Sequence, residues 1–467
     1  MKEKAVFDKK KFVVIIVCIL LYVAIVMFPT PDGLTVEGKK SLALMAVAVI
    51  SWIFEVIPIG LSASLFVMIM PTLGIVSMEE AMSNFMIATV LFIMSTFIIA
   101  HVFVETGLGK RVSLFISTLF GKKSSRVLLS YMLSTSLISG VLLSIPAAII
   151  FAGVATTLLK KNNCTPGKSN FGKQMMIGIP VAAAIGGIGT PAGSGLNVLA
   201  ISLLESTAGV TINFFQWTMV GFPMAIILTL IAWFIIMKMI PSEIDIVQGL
   251  DDVKEEAKKL GKLTTAEKKF LVIFSIELIL WLTQPWNGIN TAVVAIIATS
   301  LFFIPGVDLC TWEKANKSIN WELLLLVGGS NSLAMAISST QGSQWLANAI
   351  LGGLVDSPIL VVLFAVTAFG VFSHLLIPVS SAVIVVAVPM VALLAQNIGI
   401  NPALLVLPIA FTASDVFLMP LDPIPLTTYH YGHWKMWDMM KPGFIISMAW
   451  IILCVGFVLI AQALGIV

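Results

Sequence analysis

All but two of the 27 Lys and Arg residues fall into a few clusters, and long apolar runs separate the clusters. The runs include Phe12–Phe28, Ile59–Met70, Ala88–Ala100, Phe214–Ile240, Trp321–Ile337 and Phe444–Leu464. Threading them back and forth with the N-terminus inside gathers Lys2 to Lys11, Lys110 to Arg126, Lys160 to Lys173, Lys238 to Lys269, Lys314 with Lys317, and Lys435 with Lys441 on one side. Only Lys39 and Lys40 fall opposite. The positive-inside rule makes the crowded side cytoplasmic. A composition of 58% hydrophobic and 11% charged residues agrees with a chain whose solvent is lipid. Because roughly 20 apolar residues span the hydrocarbon core, the length predicts an all-α polytopic protein of about 11 transmembrane helices. It belongs in the cell inner (plasma) membrane, multi-pass, with a cytoplasmic N-terminus. The net charge of +3 comes from the basic side, so it speaks for orientation and not for nucleic-acid binding. Phe12–Phe28 is followed by Pro29-Thr30-Pro31 rather than a small-residue cleavage site, which predicts a retained helix and no signal peptide. Cys18 and Cys454 lie in apolar runs, Cys164 and Cys310 on the basic side; nothing predicts a disulfide or a metal site.

The chain also repeats. At a shift of about 230 residues Trp52 meets Trp281, Gly74 meets Gly306, and Ser77-Met-Glu79-Glu-Ala81 meets Thr311-Trp-Glu313-Lys-Ala315. Asn84-Phe85 then meets Asn320-Trp321, and Thr106-Gly107-Leu-Gly109 meets Thr340-Gln341-Gly342-Ser343. Basic residues flank both ends of residues 127–159, so that segment enters and returns as a re-entrant hairpin. Its counterpart, 358–396, is flanked by stretches without Lys or Arg and is expected to enter from outside. Two inverted repeats with opposed hairpins are the plan of a secondary transporter whose site lies at the midplane. The expected division is residues 1–40 as N-terminal segment and first transmembrane helix, 41–240 as first repeat, 241–268 as a charged cytoplasmic linker, and 269–467 as second repeat.

Each repeat contains an apolar segment that cannot stay helical. In the first, spanning 173–207, Ile185-Gly-Gly-Ile-Gly-Thr-Pro-Ala-Gly-Ser-Gly-Leu-Asn197 brings five glycines and a proline together. In the second, spanning 403–430, Met419-Pro-Leu-Asp-Pro-Ile-Pro-Leu426 packs three prolines around Asp422. Broken helices at membrane depth are tolerated where they are buried in protein or line a wet cavity. The half-helix restarting near Gly195 offers free N–H groups to an anion, and unwound carbonyls offer oxygens to a cation. Thr190, Ser194 and Asn197 add neutral donors. Intramembrane Asp and His are costly and mark function by default. Asp422 occupies the second break itself, where it can replace a cation ligand, carry a proton, or merely cap a helix. His374, four residues before Pro378, is placed to pair with an anion or with Asp422, and Asp415 lies two turns upstream of Asp422. Glu55, His101, Glu105, Glu205, Glu277 and Glu322 read as interfacial or scaffold residues. Trp217, Trp281, Trp286, Trp312, Trp321, Trp434 and Trp437 read as an interfacial aromatic belt.

Several stretches carry a family resemblance. Trp52-Ile-Phe-Glu55-Val-Ile-Pro58, Leu73-Gly-Ile-Val-Ser77, Gly186-Gly-Ile-Gly-Thr190, Gln284-Pro-Trp-Asn-Gly288, Pro305-Gly-Val and Asn320-Trp-Glu-Leu-Leu-Leu-Leu-Val-Gly-Gly329 resemble the divalent anion–sodium symporter family of dicarboxylate, citrate and sulfate carriers. The similarity runs from about residue 12 to residue 465. It implies a homodimer, a scaffold domain, a transport domain that moves as an elevator, and a substrate and sodium site enclosed by hairpin tips and broken helices. Both tips depart from the family's Ser-Asn-Thr triplet: the first reads Ser144-Ile145-Pro146, the second Pro378-Val379-Ser380-Ser381. After the breaks, the family's Thr-Pro-Pro-Asn becomes Ser194-Gly195-Leu196-Asn197 and Pro423-Ile424-Pro425-Leu426.

The expected function is secondary active transport of small divalent organic anions, di- or tricarboxylates, by elevator-type alternating access with sodium as the coupling ion. The alternatives are a sodium-independent exchanger, a proton-coupled carrier, or a carrier of an inorganic anion such as sulfate. The expected substrate contacts are Ser144, Thr190, Ser194, Asn197, Ser380 and Ser381. Gly189, Gly193, Gly195, Asp422 and His374 are the expected coupling-ion or proton positions. No cofactor beyond sodium is expected, and no catalysis: the chain has no HExxH, no GxSxG and no paired carboxylates on neighbouring turns.

Overall fold

The computed structural model describes residues 9–116, 121–351, 357–375 and 380–467. Among these the protein is all-helical; the sole strand-like pairing is an isolated bridge between Lys123 and Ile246. After the first helix, Lys9–Met27, a series of elements runs through twice. Val36–Ile53 and Ile59–Ile69 correspond to Thr265–Leu282 and Thr291–Leu301, and the short Met78–Ser83 to Trp312–Ser318. Ala88–Glu105 and Leu108–Ile116 correspond to Trp321–Ser339 and Gly342–Leu351. Then come a helical pair (Ser124–Ser139 with Ser144–Lys161; Ile359–Ser373 with Ser380–Asn397) and an interrupted helix (Asn170–Gly187 with Gly195–Ala208; Ala403–Thr412 with Pro423–Tyr429). A long closing helix ends each series, Phe214–Met239 and Met436–Ala463.

Local chemistry sets these boundaries. Thr35, Ser77 and Asn320 accept backbone N–H groups at the starts of their helices, while Asn213 with Gln216 and Thr264 with Glu267 form capping boxes. Among the described residues seven helices are long and apolar enough to cross a bilayer, among them Lys9–Met27, Phe214–Met239 and Met436–Ala463. Five further apolar helices, including Gly195–Ala208 and Ala403–Thr412, are shorter. Gly195–Ala208 and Ala403–Thr412 are short because a break bounds each of them before it reaches spanning length.

The helices form two packed groups. In one, Ile59–Ile69 lies on Trp321–Ser339 and its counterpart Thr291–Leu301 lies on Ala88–Glu105, so each series supplies a partner to the other. Small residues permit the approach: a Cβ on Gly329 would sit 2.7 Å from the Ala63 Cβ, and one on Gly60 would sit 2.8 Å from the Glu322 Cα. In the other group the pairs and interrupted helices pack with the closing helices, and the exchange recurs. Gly195–Ala208 packs on Ser380–Asn397, and Pro423–Tyr429 packs on Ser144–Lys161.

The charged linker is a strap. Its helix, Leu250–Lys259, places Asp251 2.5 Å from the Lys122 Nζ and Asp252 against the Lys161 Nζ, one residue at each outer end of the first helical pair. Lys110 pairs with Glu256 at 2.7 Å. Arg111 holds Glu267 through two bonds, Nε to Oε1 at 2.7 Å and Nη2 to Oε2 at 3.0 Å. The guanidinium keeps the Glu267 carboxyl below its ordinary range despite burial. The two cations that fall outside the basic clusters are both consumed by helix ends. Lys39 Nζ donates to the Val26 and Phe28 carbonyls at 2.9 and 2.8 Å, and Lys40 Nζ donates to the Leu73 carbonyl at 2.9 Å.

Two expectations about polar side chains need correction. Trp286, Trp312, Trp321 and Trp437 are exposed as an interfacial belt requires, but Trp217, Trp281 and Trp434 are buried. Each buried indole N–H has found an internal acceptor: the Ile188 carbonyl at 2.8 Å, the Thr291 carbonyl at 3.1 Å and the Thr428 hydroxyl at 3.2 Å. Of the two readings of Glu277, interfacial or scaffold, the interfacial one does not hold. The residue is buried within Thr265–Leu282, and neither carboxylate oxygen has a hydrogen-bond partner among the described residues.

Candidate functional site

The first break is built by hydrogen bonds from a few side chains to freed backbone. Asn170–Gly187 stops, Pro191–Gly193 forms one 3-10 turn, and the helix resumes at Gly195 under a Ser194 cap. Asn197 Nδ2 gathers the Gly187 and Thr190 carbonyls at 2.7 and 2.8 Å, so one amide closes the loop across the break. The Asn197 Oδ1 is buried without a partner among the described residues. Thr190 Oγ1 donates to the Gly140 carbonyl at 2.6 Å, in the turn of the first helical pair. From that turn Ser144 Oγ donates to the Gly193 carbonyl at 3.4 Å. Ser139, which sequence reasoning passed over, links Ser144 Oγ at 3.0 Å to the Ala183 carbonyl at 2.5 Å. The only signal for it was a hydroxyl recurring along an apolar hairpin, at Ser134, Ser136 and Ser139.

The glycines divide by what they face. A Cβ on Gly193 would lie 2.5 Å from the Gly187 carbonyl and 2.9 Å from that of Ser139, and one on Gly187 would collide with Ser144 Oγ. These two let tip and break touch. Gly189 faces the Gly186 carbonyl and the Phe222 ring. Gly195 instead faces the Leu323 side chain of Trp321–Ser339, so its missing Cβ serves contact between the two helix groups.

The second break occupies residues 413–422, earlier than its proline cluster alone suggests, and Asp422 is the N-cap of Pro423–Tyr429. Asp422 Oδ1 accepts from the Ile424 N–H at 3.1 Å and Oδ2 accepts from Ser380 Oγ at 3.1 Å. The carboxylate thus caps its own helix and reaches the second helical pair, where Ser381 is also buried. Pro378 and Val379 lie outside the described residues. Asp415 is fully buried and accepts from Ser447 Oγ at 2.9 Å. His374 is buried as well, but it does not pair with Asp422; neither ring nitrogen has a partner among the described residues. Asp422 has both oxygens engaged by Ile424 and Ser380, which leaves it no need of the imidazole.

A cavity of about 480 Å³ lies between Gly195–Ala208 and the other helix group. Asn84, Pro191, Ser202, Glu205, Asn290 and Asn331 are among its lining residues. It approaches the first break only at Pro191, and none of the eleven expected site residues lines it. Ser202 Oγ bonds Asn331 Oδ1 at 3.1 Å, and Asn331 Nδ2 donates to the Asn84 carbonyl at 3.2 Å, which bridges the two helix groups at the cavity wall.

The protein is similar to known carriers over its whole length. The family described as "Sodium:sulfate symporter transmembrane region" matches residues 9–467. A sodium-dependent dicarboxylate transporter SdcS from Staphylococcus saprophyticus is 27% identical over 501 aligned positions, covering 100% of this chain and 94% of the relative. Its Staphylococcus aureus counterpart is 28% identical over 498, with the same coverage. Among solved structures, the Alcanivorax borkumensis YdaH transporter aligns with a TM-score of 0.55 at 12% identity, over 80% of this chain and 85% of that one. Neisseria gonorrhoeae MtrF aligns with a TM-score of 0.54 at 13% identity, over 97% and 95%. At such identities the two structures speak for the fold alone.

Proposed function

The chain belongs to the sodium:sulfate symporter family, and on that premise we propose that it carries small divalent organic anions across the plasma membrane by an elevator-type movement coupled to sodium. The observation that carries this reading is that the second helix of each pair is bonded, at its first residue, to the interrupted helix of its own series: Ser144 to Gly193, and Ser380 to Asp422. Both contacts lie where helices begin, at Ser144, Gly195 and Ser380, so positive dipole ends lie at the same two junctions. That arrangement suits a carboxylate without using a single Lys or Arg. The Gly187, Thr190 and Gly193 carbonyls, already drawn inward by Asn197 and Ser144, supply the hard oxygens that a sodium ion takes.

The membrane arrangement follows the same logic. Lys122 and Lys161 are held by neighbouring acids of one short linker helix, so the first helical pair starts and ends on one face and is re-entrant. Gln396, at the far end of the second pair, donates instead to the Ala208 carbonyl at 3.3 Å, where the first interrupted helix ends. The two series then lie inverted, with the N-terminus and the basic loops cytoplasmic. The group containing Trp321–Ser339 serves as scaffold and dimer platform, and the cavity beside Pro191 marks the seam along which the other group slides.

A second reading rests on one observation, the carboxylate of Asp422 at the second junction. A side chain that titrates there would make the carrier proton-coupled, and one that substitutes for the cation would make it an exchanger. Uptake into proteoliposomes separates these readings: C4-dicarboxylate, citrate and sulfate are offered under an inward sodium gradient, an inward proton gradient, or trans-loaded anion. Sodium-driven accumulation of a dicarboxylate is expected. Accumulation under a proton gradient alone, or exchange alone, selects the second reading, and transport of none of the three anions overturns both.

A further inference from the structure

Three residues far apart in the sequence converge at the basic end of the first helix group. His101 and Glu105 stand one turn apart at the end of Ala88–Glu105, and Cys310 lies in the loop between Thr291–Leu301 and Trp312–Ser318. One ligand atom from each lies within 4.8 Å of the others. His101 Nε2 is 3.0 Å from Glu105 Oε2, yet it lacks the alignment of an N–H donor bond. The Cys310 thiol points at the same oxygen, with Sγ 4.0 Å away. With the imidazole in its Nδ1–H tautomer and the thiol deprotonated, Nε2, Oε2 and Sγ are three donor atoms gathered around one point. The other oxygen, Oε1, is taken by the Lys314 ammonium, so the carboxylate presents Oε2 alone to the imidazole and the thiol.

We propose that His101, Glu105 and Cys310 form a binding site for a divalent transition cation, of which Zn²⁺ is the best match. Imidazole nitrogen, carboxylate oxygen and thiolate sulfur are the zinc donor set, and bonds of about 2.0–2.3 Å in a tetrahedron give ligand–ligand edges of about 3.3–3.7 Å. Two of the three edges, at 3.0 and 4.0 Å, bracket that range, and the third lies within 4.8 Å, so side-chain rotations that draw His101 and Cys310 together close the site. On binding, the Cys310 S–H bond breaks, its proton leaves to water, and a Zn–S bond forms. The fourth position remains open to solvent, since the His101 and Glu105 side chains are each 28% exposed. Softer thiolate-seeking cations such as Cd²⁺ share the site, whereas Mg²⁺ and Ca²⁺, which demand all-oxygen shells, do not. Two residues on, Gly107 adopts a left-handed φ of +85° where the chain turns into Leu108–Ile116. A bound cation would fix the helix end from which that turn departs, and tie it to Cys310.

The full-length protein in detergent is titrated with Zn²⁺ against a chelating indicator, and with Cd²⁺ while the ultraviolet thiolate-to-metal charge-transfer band is followed. One Zn²⁺ per chain is expected, with a Cd²⁺ band of the same stoichiometry. Cys310→Ser should abolish the band, and both it and His101→Gln should weaken Zn²⁺ binding by more than about a hundredfold, beyond what loss of an outer-shell partner costs. Lys314→Ala should shift affinity the opposite way, because it frees the carboxylate and removes a neighbouring positive charge; a general loss of folding cannot produce that gain. Absence of stoichiometric Zn²⁺ binding by the unaltered chain overturns the proposal, as does binding that survives Cys310→Ser undiminished.

Discussion

The Ser380 hydroxyl donates to Asp422 Oδ2 at 3.1 Å, while the other oxygen of the same carboxylate caps Ile424 at 3.1 Å. One side chain therefore holds both the restart of the second interrupted helix and the start of Ser380–Asn397. A change in its charge is felt on both sides of the junction.

Asp422→Asn tests that double duty. Asn caps helices about as well as Asp, so the thermal midpoint should fall by no more than about 1 kcal/mol of stability implies. Concentrative uptake should fall by about tenfold or more, the scale of a coupling free energy, while one-for-one anion exchange changes little. Unchanged, strongly sodium-dependent accumulation in the variant would reduce Asp422 to a cap.

Gly193 is expected to be intolerant of any side chain. Its Cβ would sit 2.5 Å from the Gly187 carbonyl and 2.9 Å from that of Ser139, both backbone atoms that cannot swing away. Gly193→Ala should cost about 1–3 kcal/mol, measured as a drop in thermal midpoint, and should lower transport with it. Gly195→Ala is crowded by the end of the Leu323 side chain, at 2.8 Å, with Ile93 at an ordinary 3.6 Å, and should be milder. Equal tolerance at both positions would remove the distinction drawn between them.

Sidedness can be read with single cysteines. Lys123→Cys and Lys161→Cys should react with an impermeant maleimide only from the cytoplasmic face, and Asn397→Cys only from outside. Labelling of positions 123 and 161 from opposite faces contradicts a re-entrant first pair and the inverted arrangement with it.

The Arg111–Glu267 pair sets an acid limit. The folded-state carboxyl titrates below its ordinary value, so the stabilisation is complete above the unfolded value near 4.3 and is lost as pH falls through the lower, folded one. Arg111→Ala should cost about 2 kcal/mol near neutrality, since it removes the counter-ion of a buried carboxylate and leaves it only the Thr264 N–H. The gap in thermal midpoint between the unaltered protein and Glu267→Gln should narrow as pH is lowered below about 4. A gap that stays constant to acid would place the loss in packing rather than in charge.

Charge clusters and apolar runs were enough to read an all-helical membrane carrier, because lipid forces every spanning segment into a pattern that composition records. The glycine-rich break was legible for a similar reason: five glycines and a proline leave helix no alternative. Tertiary partners were not. Trp217 and Trp434 look like belt residues until Ile188 and Thr428 supply their acceptors. Ser139 and Asn331 became visible only once folding brought the Ser144 hydroxyl and the Asn84 carbonyl to them. The His101–Glu105–Cys310 cluster joins residues more than 200 positions apart, a distance that no local pattern spans.

The exchange of half-helices between the two series sets a timetable for synthesis. Gly195–Ala208 leaves the ribosome with its packing face bare, and the surface that covers it, Ser380–Asn397, follows roughly 185 residues later, a delay of about ten to forty seconds at typical elongation rates. Pro423–Tyr429 in turn completes the first pair roughly 260 residues after that pair ends at Lys161. The early half is thus a guest of the insertion machinery until the late half arrives, and a premature stop anywhere before residue 380 would leave a membrane fragment that cannot close.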